Sequence, residues 1–332
     1  MSGQQAISRN GVKKNALGFL SHNGETQIKA MLWTPEKKGN PRGIIQIVHG
    51  MSEYIERYDE LACFFASRGF VVCGHDQIGH GDSVSDPSER GHMPLEGGKE
   101  TLIEDVHTLR SMVASRYPRQ VPYFLIGHSM GSFISRVYAT CHGEHLSGVI
   151  LVGTAHQSSF LSRVGGLATQ VIAKLKGQTY RSDFVHNLGA GAYAKKIDDP
   201  RTPFDWIAVD EAVVDDYTAD ERCGFKFTVG GYAVVAQLIH DMTDSARAKD
   251  IPSHIPFLIL SGKDDPVGEM GDGVKRAETF LTDAGLSDVQ LVLYEGLRHE
   301  ILNEKNREDI YHDILDWLMC VINDPSQKAS GK

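Results

Sequence analysis

The sequence is short of positive charge. Its 332 residues carry 34 Lys and Arg against 43 Asp and Glu, a formal net charge of −9. That excludes the basic footprint of a nucleic-acid binder and the cationic face that holds a protein on anionic lipid. Cysteine is scarce too. The five, Cys63, Cys73, Cys141, Cys223 and Cys320, are widely spaced and odd in number. Such a set gives no disulfide framework, so reduced thiols and a cytoplasmic setting are expected. Cys63, Cys73 and Cys320 lie in apolar segments and are expected in the core. No stretch approaches the roughly 20 apolar residues of a membrane span. Residues 1–14 are polar and lack the apolar centre of a signal peptide. There are 15 histidines, but none sits in a complete metal-ligand pattern. The nearest group, Cys141-His142 with His145, has no evident fourth ligand. A chain without metal or cofactor is expected.

The composition, 41% hydrophobic and 23% charged, is that of an ordinary globular protein. Strand and helix signals alternate along much of it. Strands are expected near 16–22, 26–34, 43–49, 70–76, 122–128, 147–153, 256–261 and 289–295. Helices are expected near 55–68, 98–116, 131–141, 271–284 and 303–321. Such alternation implies an α/β fold, a mostly parallel eight-stranded sheet with helices on both faces. The first two strands, joined through Asn23-Gly24, read as a hairpin that forms an antiparallel edge. Ligands of such sheets bind beyond the carboxyl ends of the strands.

One such end carries Gly127-His128-Ser129-Met130-Gly131, between the apolar run Tyr123-Phe124-Leu125-Ile126 and a helical stretch. This spells the nucleophile elbow of the α/β-hydrolase fold, a tight turn that lifts a serine hydroxyl out of the sheet. The flanking glycines leave room for the neighbouring strand and helix. The plainer alternative is that Ser129 merely caps the helix. A serine nucleophile needs a base and a group to orient it, here in the chain order serine, acid, histidine. The strand Pro256–Leu260 runs into Ser261-Gly262-Lys263-Asp264-Asp265-Pro266-Val267, where two carboxylates compete. Asp265 is preferred because the closing Asp-Pro-Val suits a hydrolase acid; Asp264 then becomes a solvated loop residue. His299 follows the last strand and precedes the last helix, where the base belongs. An oxyanion hole needs two preorganised N–H groups. Met130, after the nucleophile, offers one. Met51, in His49-Gly50-Met51-Ser52-Glu53 after Ile44–Val48, offers the other. His49, Gly50 and His128 are expected to support these groups without reacting.

The alternation breaks between about 155 and 250. Phe160, Leu161, Val164, Leu167, Ala168, Val171, Ile172 and Leu175 follow a helical spacing with one broad apolar face. Tyr232, Val235, Ala236, Leu238, Ile239 and Met242 form a second apolar stretch. The expectation is a core of residues 1–154 and 251–332, with 155–250 inserted after the sixth strand as a helical lid over the strand ends.

Together these residues resemble the monoacylglycerol lipase and lysophospholipase branch of the α/β-hydrolases, often grouped with serine aminopeptidases. The resemblance covers about residues 15 to 320. It is carried by 49–53 with Arg57-Tyr58, by Asp76-Gln77-Ile78-Gly79-His80-Gly81-Asp82-Ser83, by the elbow, by the acid loop and by Gly296-Leu297-Arg298-His299-Glu300. The segments Arg201–Trp206 and Asp220–Phe225 look like those of bacterial lysophospholipases, which often carry Ser-Arg where this chain has Ala208-Val209. The resemblance implies a cofactor-free serine esterase acting on a small or lipid monoester through Ser129, His299 and Asp265. His80 and Asp82 then brace loops. The apolar lid allows transient membrane contact, and the oligomeric state stays open. A rival reading, an aminopeptidase, needs an anion for the substrate amine, for which Glu53 or Asp82 could serve. A small-ester carboxylesterase is a further alternative, and a non-catalytic ligand-binding protein is the remotest.

Overall fold

The computed structural model describes residues 7–9, 11–37, 39–156 and 159–324. The strands β1 (Ile7–Arg9), β2 (Val12–Leu20), β3 (Gln27–Pro35), β4 (Ile44–Val48), β5 (Val71–His75), β6 (Tyr123–His128), β7 (Gly148–Val152), β8 (Phe257–Gly262) and β9 (Val289–Tyr294) form one sheet in the order β1-β2-β3-β5-β4-β6-β7-β8-β9. Neighbours from β5 to β9 run parallel, whereas β1, β2 and β3 are antiparallel. All eight expected strands are present. The short β1 adds a ninth at the edge, and β2 begins at Val12 rather than 16 because it pairs along its whole length with β3. In the β2–β3 turn, Asn23 Oδ1 accepts the N–H groups of Glu25 and Thr26, each at 2.9 Å.

Helices cover both faces. α1 (Asp59–Ser67), α2 (Gly98–Ala114) and α3 (Met130–His142) come before the interruption. α4 (Ser159–Lys176), α5 (Asp183–Leu188), α6 (Glu211–Ala219), α7 (Val229–Met242) and α8 (Ser245–Ala248) fall between β7 and β8, and α9 (Asp272–Asp283) and α10 (Arg307–Asn323) follow. The strand side chains alternate between two cores, as a pleat requires. Ile44, Val48 and Leu125 pack against α2, α3, α7 and α9. Ile45, Ile47, Phe124 and Ile126 pack against α1 and α10. The parallel strands β4 to β8 are buried on both faces, which explains their continuous apolar runs, whereas the edge strand β9 alternates between half-buried and exposed residues.

Three expectations need correction. The helix expected from 55 opens as a 3₁₀ turn, Ile55–Tyr58, before α1. The last helix starts at Arg307, after the tight turns that shape the loop behind His299. Cys320 is exposed on the outer side of α10, Cys63 is half-buried, and Cys73 alone of these three is buried.

The α4 stripe also divides. Leu167, Val171 and Leu175 are exposed, while Thr169 and Ala173 are buried and Ile172 is half-buried. The side chains of Phe160, Leu161 and Val164 lie outside the described residues. By contrast, Leu238 and Val234 on α7 are fully buried and belong to the main core. Both roots of the insertion meet one buried side chain on α3. Arg136 donates from Nη1 to the Ala155 carbonyl at 3.1 Å and from Nη2 to the Met242 carbonyl at 2.9 Å. Among the described residues, no helix is long and apolar enough to cross a membrane.

Of the two elbow glycines, Gly131 makes the closest approach among the glycines of the described residues. A Cβ on Gly131 would stand 2.7 Å from the His49 carbonyl oxygen and closer still to that of Val48. A Cβ on Gly127 would stand 2.5 Å from Ser135 Oγ. Backbone crowding of this kind has no flexible neighbour to absorb it. Gly131→Ala is therefore expected to lower the urea unfolding free energy by about 3 kcal/mol or to prevent accumulation of folded protein. Gly166→Ala, whose Cβ would sit 3.8 Å from Ala236 Cβ in an ordinary helical turn, is expected to be neutral or stabilising by up to about 1 kcal/mol. Equal unfolding curves for the two variants would contradict this account of the packing.

Candidate active site

Ser129 occupies the single residue between β6 and α3, with φ 52° and ψ −119°. A non-glycine residue there carries strain of order 1–3 kcal/mol, held by its surroundings. The holding groups are main chain. The Ser129 N–H donates to the Val152 carbonyl at 2.9 Å, and its own carbonyl accepts the Ser132 N–H at 2.8 Å. Its hydroxyl makes no capping hydrogen bond to α3, so the helix-cap reading does not describe this serine.

Asp265 is fully buried, and its Oδ2 accepts the Nδ1–H of His299 at 2.9 Å. Oδ1 accepts the Val267 N–H at 2.8 Å. Because Nδ1 carries the proton toward the carboxylate, Nε2 of His299 keeps its lone pair. Asp264, one residue earlier, is exposed, and its N–H is tied to the Leu297 carbonyl at 2.9 Å. The end of β7 brings serine and histidine together. Val152 holds the Ser129 N–H, and a Cβ on the next residue, Gly153, would lie 3.0 Å from both Nδ1 and Cε1 of His299. The imidazole also packs beside the rings of His128 and Trp206, with centroid separations of 4.8 and 5.2 Å.

The loop after β4 runs behind the serine. A Cβ on Gly50 would stand 3.0 Å from Ser129 Cβ. His49 accepts the Gln77 N–H at Nε2 (3.0 Å), so its Nδ1–H donates to the Gly50 carbonyl at 2.9 Å. Burial, reinforced by His80, lowers the His49 pKa to about 3 and keeps the ring neutral. With the Gly50 carbonyl turned to His49, the planar trans peptide points the Met51 N–H the opposite way. Among the described residues, neither the Met51 nor the Met130 N–H has a main-chain or side-chain acceptor. Two donors thus flank the serine unspent, which is what a developing oxyanion requires.

Beneath this loop lies a buried charged layer. Glu53 Oε1 accepts from Gly50 N–H at 2.5 Å, Tyr58 O–H at 2.9 Å and His128 Nδ1–H at 2.9 Å. Glu53 Oε2 accepts from Arg57 at 3.0 Å, and Arg57 also grips Glu300 with two bonds of 2.7 Å. Burial alone would raise the Glu53 pKa, but His128 and then Arg57 hold it below the usual carboxylate range. Burial would lower that of His128, but the Glu53 carboxylate outweighs it and raises it. Of this layer, His128 and Gly50 are foreseeable from sequence as supports. The Arg57–Glu300 pair is not, because its members lie 243 residues apart and only their presence in two motifs marks them.

His80 and Asp82 stand apart from the serine. Buried His80 packs against Phe225 and Phe227, and exposed Asp82 gives its N–H to Asp76 Oδ2 at 2.8 Å. At the far end of α3, His142 stacks on His107 with a 4.0 Å centroid separation and bonds Glu104 at 3.0 Å. Among the described residues, no group of three or more His, Cys, Asp or Glu side chains is placed to hold a metal ion.

Comparison with known proteins identifies the family and the fold. The family described as Serine aminopeptidase, S33, matches residues 39–306. The monoacylglycerol lipase of Mycolicibacterium smegmatis is 26% identical over 298 residues, 89% of this chain and 94% of that protein. A highly thermostable carboxyl esterase from Bacillus coagulans, solved with glycerol, is 34% identical with a TM-score of 0.85, covering 93% of this chain and 99% of that one. A lipase solved in an open form is 29% identical with a TM-score of 0.82, covering 94% of this chain and 100% of that one. With its elbow, its histidine–carboxylate pair and a match of this extent, the chain belongs to the serine aminopeptidase family S33, in the monoacylglycerol lipase branch of the α/β-hydrolases.

Proposed function

We propose that this α/β-hydrolase is a carboxylic-ester hydrolase of monoacylglycerols or lysophospholipids, working through Ser129, His299 and Asp265. The observation that carries the reading is the buried Asp265–His299 bond of 2.9 Å, set against the β7 end that also holds the strained Ser129. The Ser129 hydroxyl attacks the ester carbonyl while His299 Nε2 takes its proton. The oxyanion rests on the Met51 and Met130 N–H groups. His299 returns the proton to the departing alcohol, and water, activated by the same nitrogen, releases the acid from Ser129. Asp265 holds the ring and stabilises the imidazolium. No cofactor enters any step.

Residues 155–250 serve as the lid in this reading. α4 presents Leu167, Val171 and Leu175 outward, and α5 presents Phe184 and Leu188. Apolar side chains at helical spacing on an outer face suit brief contact with a lipid surface from which a single-chain ester is drawn. The names of the relatives, a monoacylglycerol lipase and a carboxyl esterase, support the substrate class. The geometry weighs against the aminopeptidase alternative. Both Glu53 oxygens are taken by protein donors, and Asp82 faces solvent. The five free cysteines suit a reducing cytoplasm.

Ser129→Ala is expected to abolish hydrolysis of p-nitrophenyl and glyceryl monoesters while the circular dichroism spectrum and melting temperature stay at wild-type values. Retained turnover in a clean preparation would remove the serine from its role. Asp265→Asn should cost about 10³–10⁴-fold in kcat, as in other triads, and Asp264→Asn less than about threefold; the reverse ranking would make Asp264 the acid. Across esters of two to sixteen carbons, kcat/KM should peak at medium or long chains. The paired change Leu167→Ser and Leu175→Ser should reduce hydrolysis of vesicle-borne monoacylglycerol by about tenfold or more while leaving the soluble acetyl ester untouched. An equal loss on both substrates would argue against a lipid-facing lid.

A further inference from the structure

The insertion is not uniform. Residues 204–225 touch two separate loops of the core, each of which carries part of the site. On one side lies Ser52, next to Met51. Ser52 holds φ 54°, a left-handed conformation that a serine does not keep unaided. The groups that fix it come from the insertion. Its carbonyl accepts the Tyr217 hydroxyl at 3.1 Å and the Gly224 N–H at 3.0 Å, and its own hydroxyl donates to the Phe225 carbonyl at 2.7 Å.

On the other side lies the loop that carries His299. The Glu300 N–H donates to the Ile207 carbonyl at 2.6 Å. Arg298 Nη1 donates to the Asp205 carbonyl at 2.6 Å. Glu304, buried, accepts the N–H groups of Val209 at 2.6 Å and Asp210 at 3.1 Å. Between the two loops, Ile207, Ala208, Val214, Tyr217 and Cys223 pack with Tyr54 as a separate small core. This stretch is therefore bonded to both halves of the site, whereas α4 and α5 turn apolar side chains to solvent.

We infer that residues 204–225 form a fixed clasp that sets the oxyanion loop against the histidine loop, with Tyr217 and Glu304 as positioning residues at its two ends. The inference rests on the roles given above to Ser129, His299 and Met51. A clasp of this kind acts on transition-state geometry rather than on substrate capture. Tyr217 controls the turn that aims the Met51 N–H. Glu304 controls the loop that aims His299. Neither touches the ester, so their loss should not depend on the acyl chain.

The test uses the full chain carrying Tyr217→Phe or Glu304→Gln, with melting curves, kcat and KM on p-nitrophenyl acetate and dodecanoate, and the rate of Ser129 phosphonylation by a small fluorophosphonate. Tyr217→Phe deletes one hydrogen bond and keeps the ring. Glu304→Gln keeps one acceptor oxygen and sets an amide donor against the other of the two N–H groups. Each is expected to lower kcat about tenfold, by the same factor on both esters, with KM within about twofold of wild type and phosphonylation slowed in step. Wild-type kcat in both folded variants overturns the clasp, as does a loss confined to KM that grows with chain length. Should one variant fail to fold, the other decides, since it acts at the opposite end. Turnover surviving in Ser129→Ala would instead overturn the assignment of the site. A dead Ser129→Ala beside two fully active clasp variants overturns the clasp alone.

Discussion

The arrangement depends on one close approach between backbones, that of α3 at Gly131 to the end of β4. No side chain separates them, and the carbonyl oxygens of Val48 and His49 stand where a Cβ would be. That approach brings the first N–H of α3 and the loop after β4 to the same small volume. It also leaves Ser129 only one way to turn, through a positive φ, because strand and helix must join over a single residue. The strain is local and is met by main-chain hydrogen bonds from β7 and from α3 itself. Ser129, the Met51 and Met130 N–H groups and β7 are thus fixed by backbone contacts before any side-chain hydrogen bond is considered.

A second layer, made of charges, sits under the first. Glu53, Arg57, Glu300 and His128 are nearly excluded from solvent and pair with one another. Buried ion pairs add little net stability over apolar packing, but removing one partner is costly because the other is left buried and unpaired. Their value here is geometric. Glu53 belongs to the loop that offers the Met51 N–H, Glu300 follows His299, and Arg57 bonds both. The two loops are held to a common guanidinium whose fork accepts only a narrow range of carboxylate orientations.

What could be read from the sequence follows the range of the interactions. The elbow, the acid loop and the histidine loop each depend on a strand end and a short turn, so a few adjacent residues announce them. The choice between Asp264 and Asp265 is also local, since one side chain of a tight loop turns inward and the next outward. β1 is only three residues long, too short for a pattern. The division of the α4 stripe is hidden because periodicity marks an apolar face without saying what covers it. The bonds of Glu304 to residues 209 and 210, and of Tyr217 to Ser52, join segments about 95 and 165 residues apart. No local signal can announce such pairs.

Arg136 has a further consequence. It is buried, its side-chain hydrogen bonds run to two carbonyl oxygens, the Met242 sulfur and the His156 ring, and among the described residues no carboxylate pairs with it. One of those carbonyls closes α7, where the helix dipole favours a cation. The other lies where the chain leaves the sheet for the insertion. A single guanidinium thus serves as the socket for both ends of an inserted cassette. The roots themselves cannot drift without stranding a buried charge. One side chain of α3 thereby ties the start and the finish of this excursion from the sheet, so that moving either end would leave a buried guanidinium short of an acceptor.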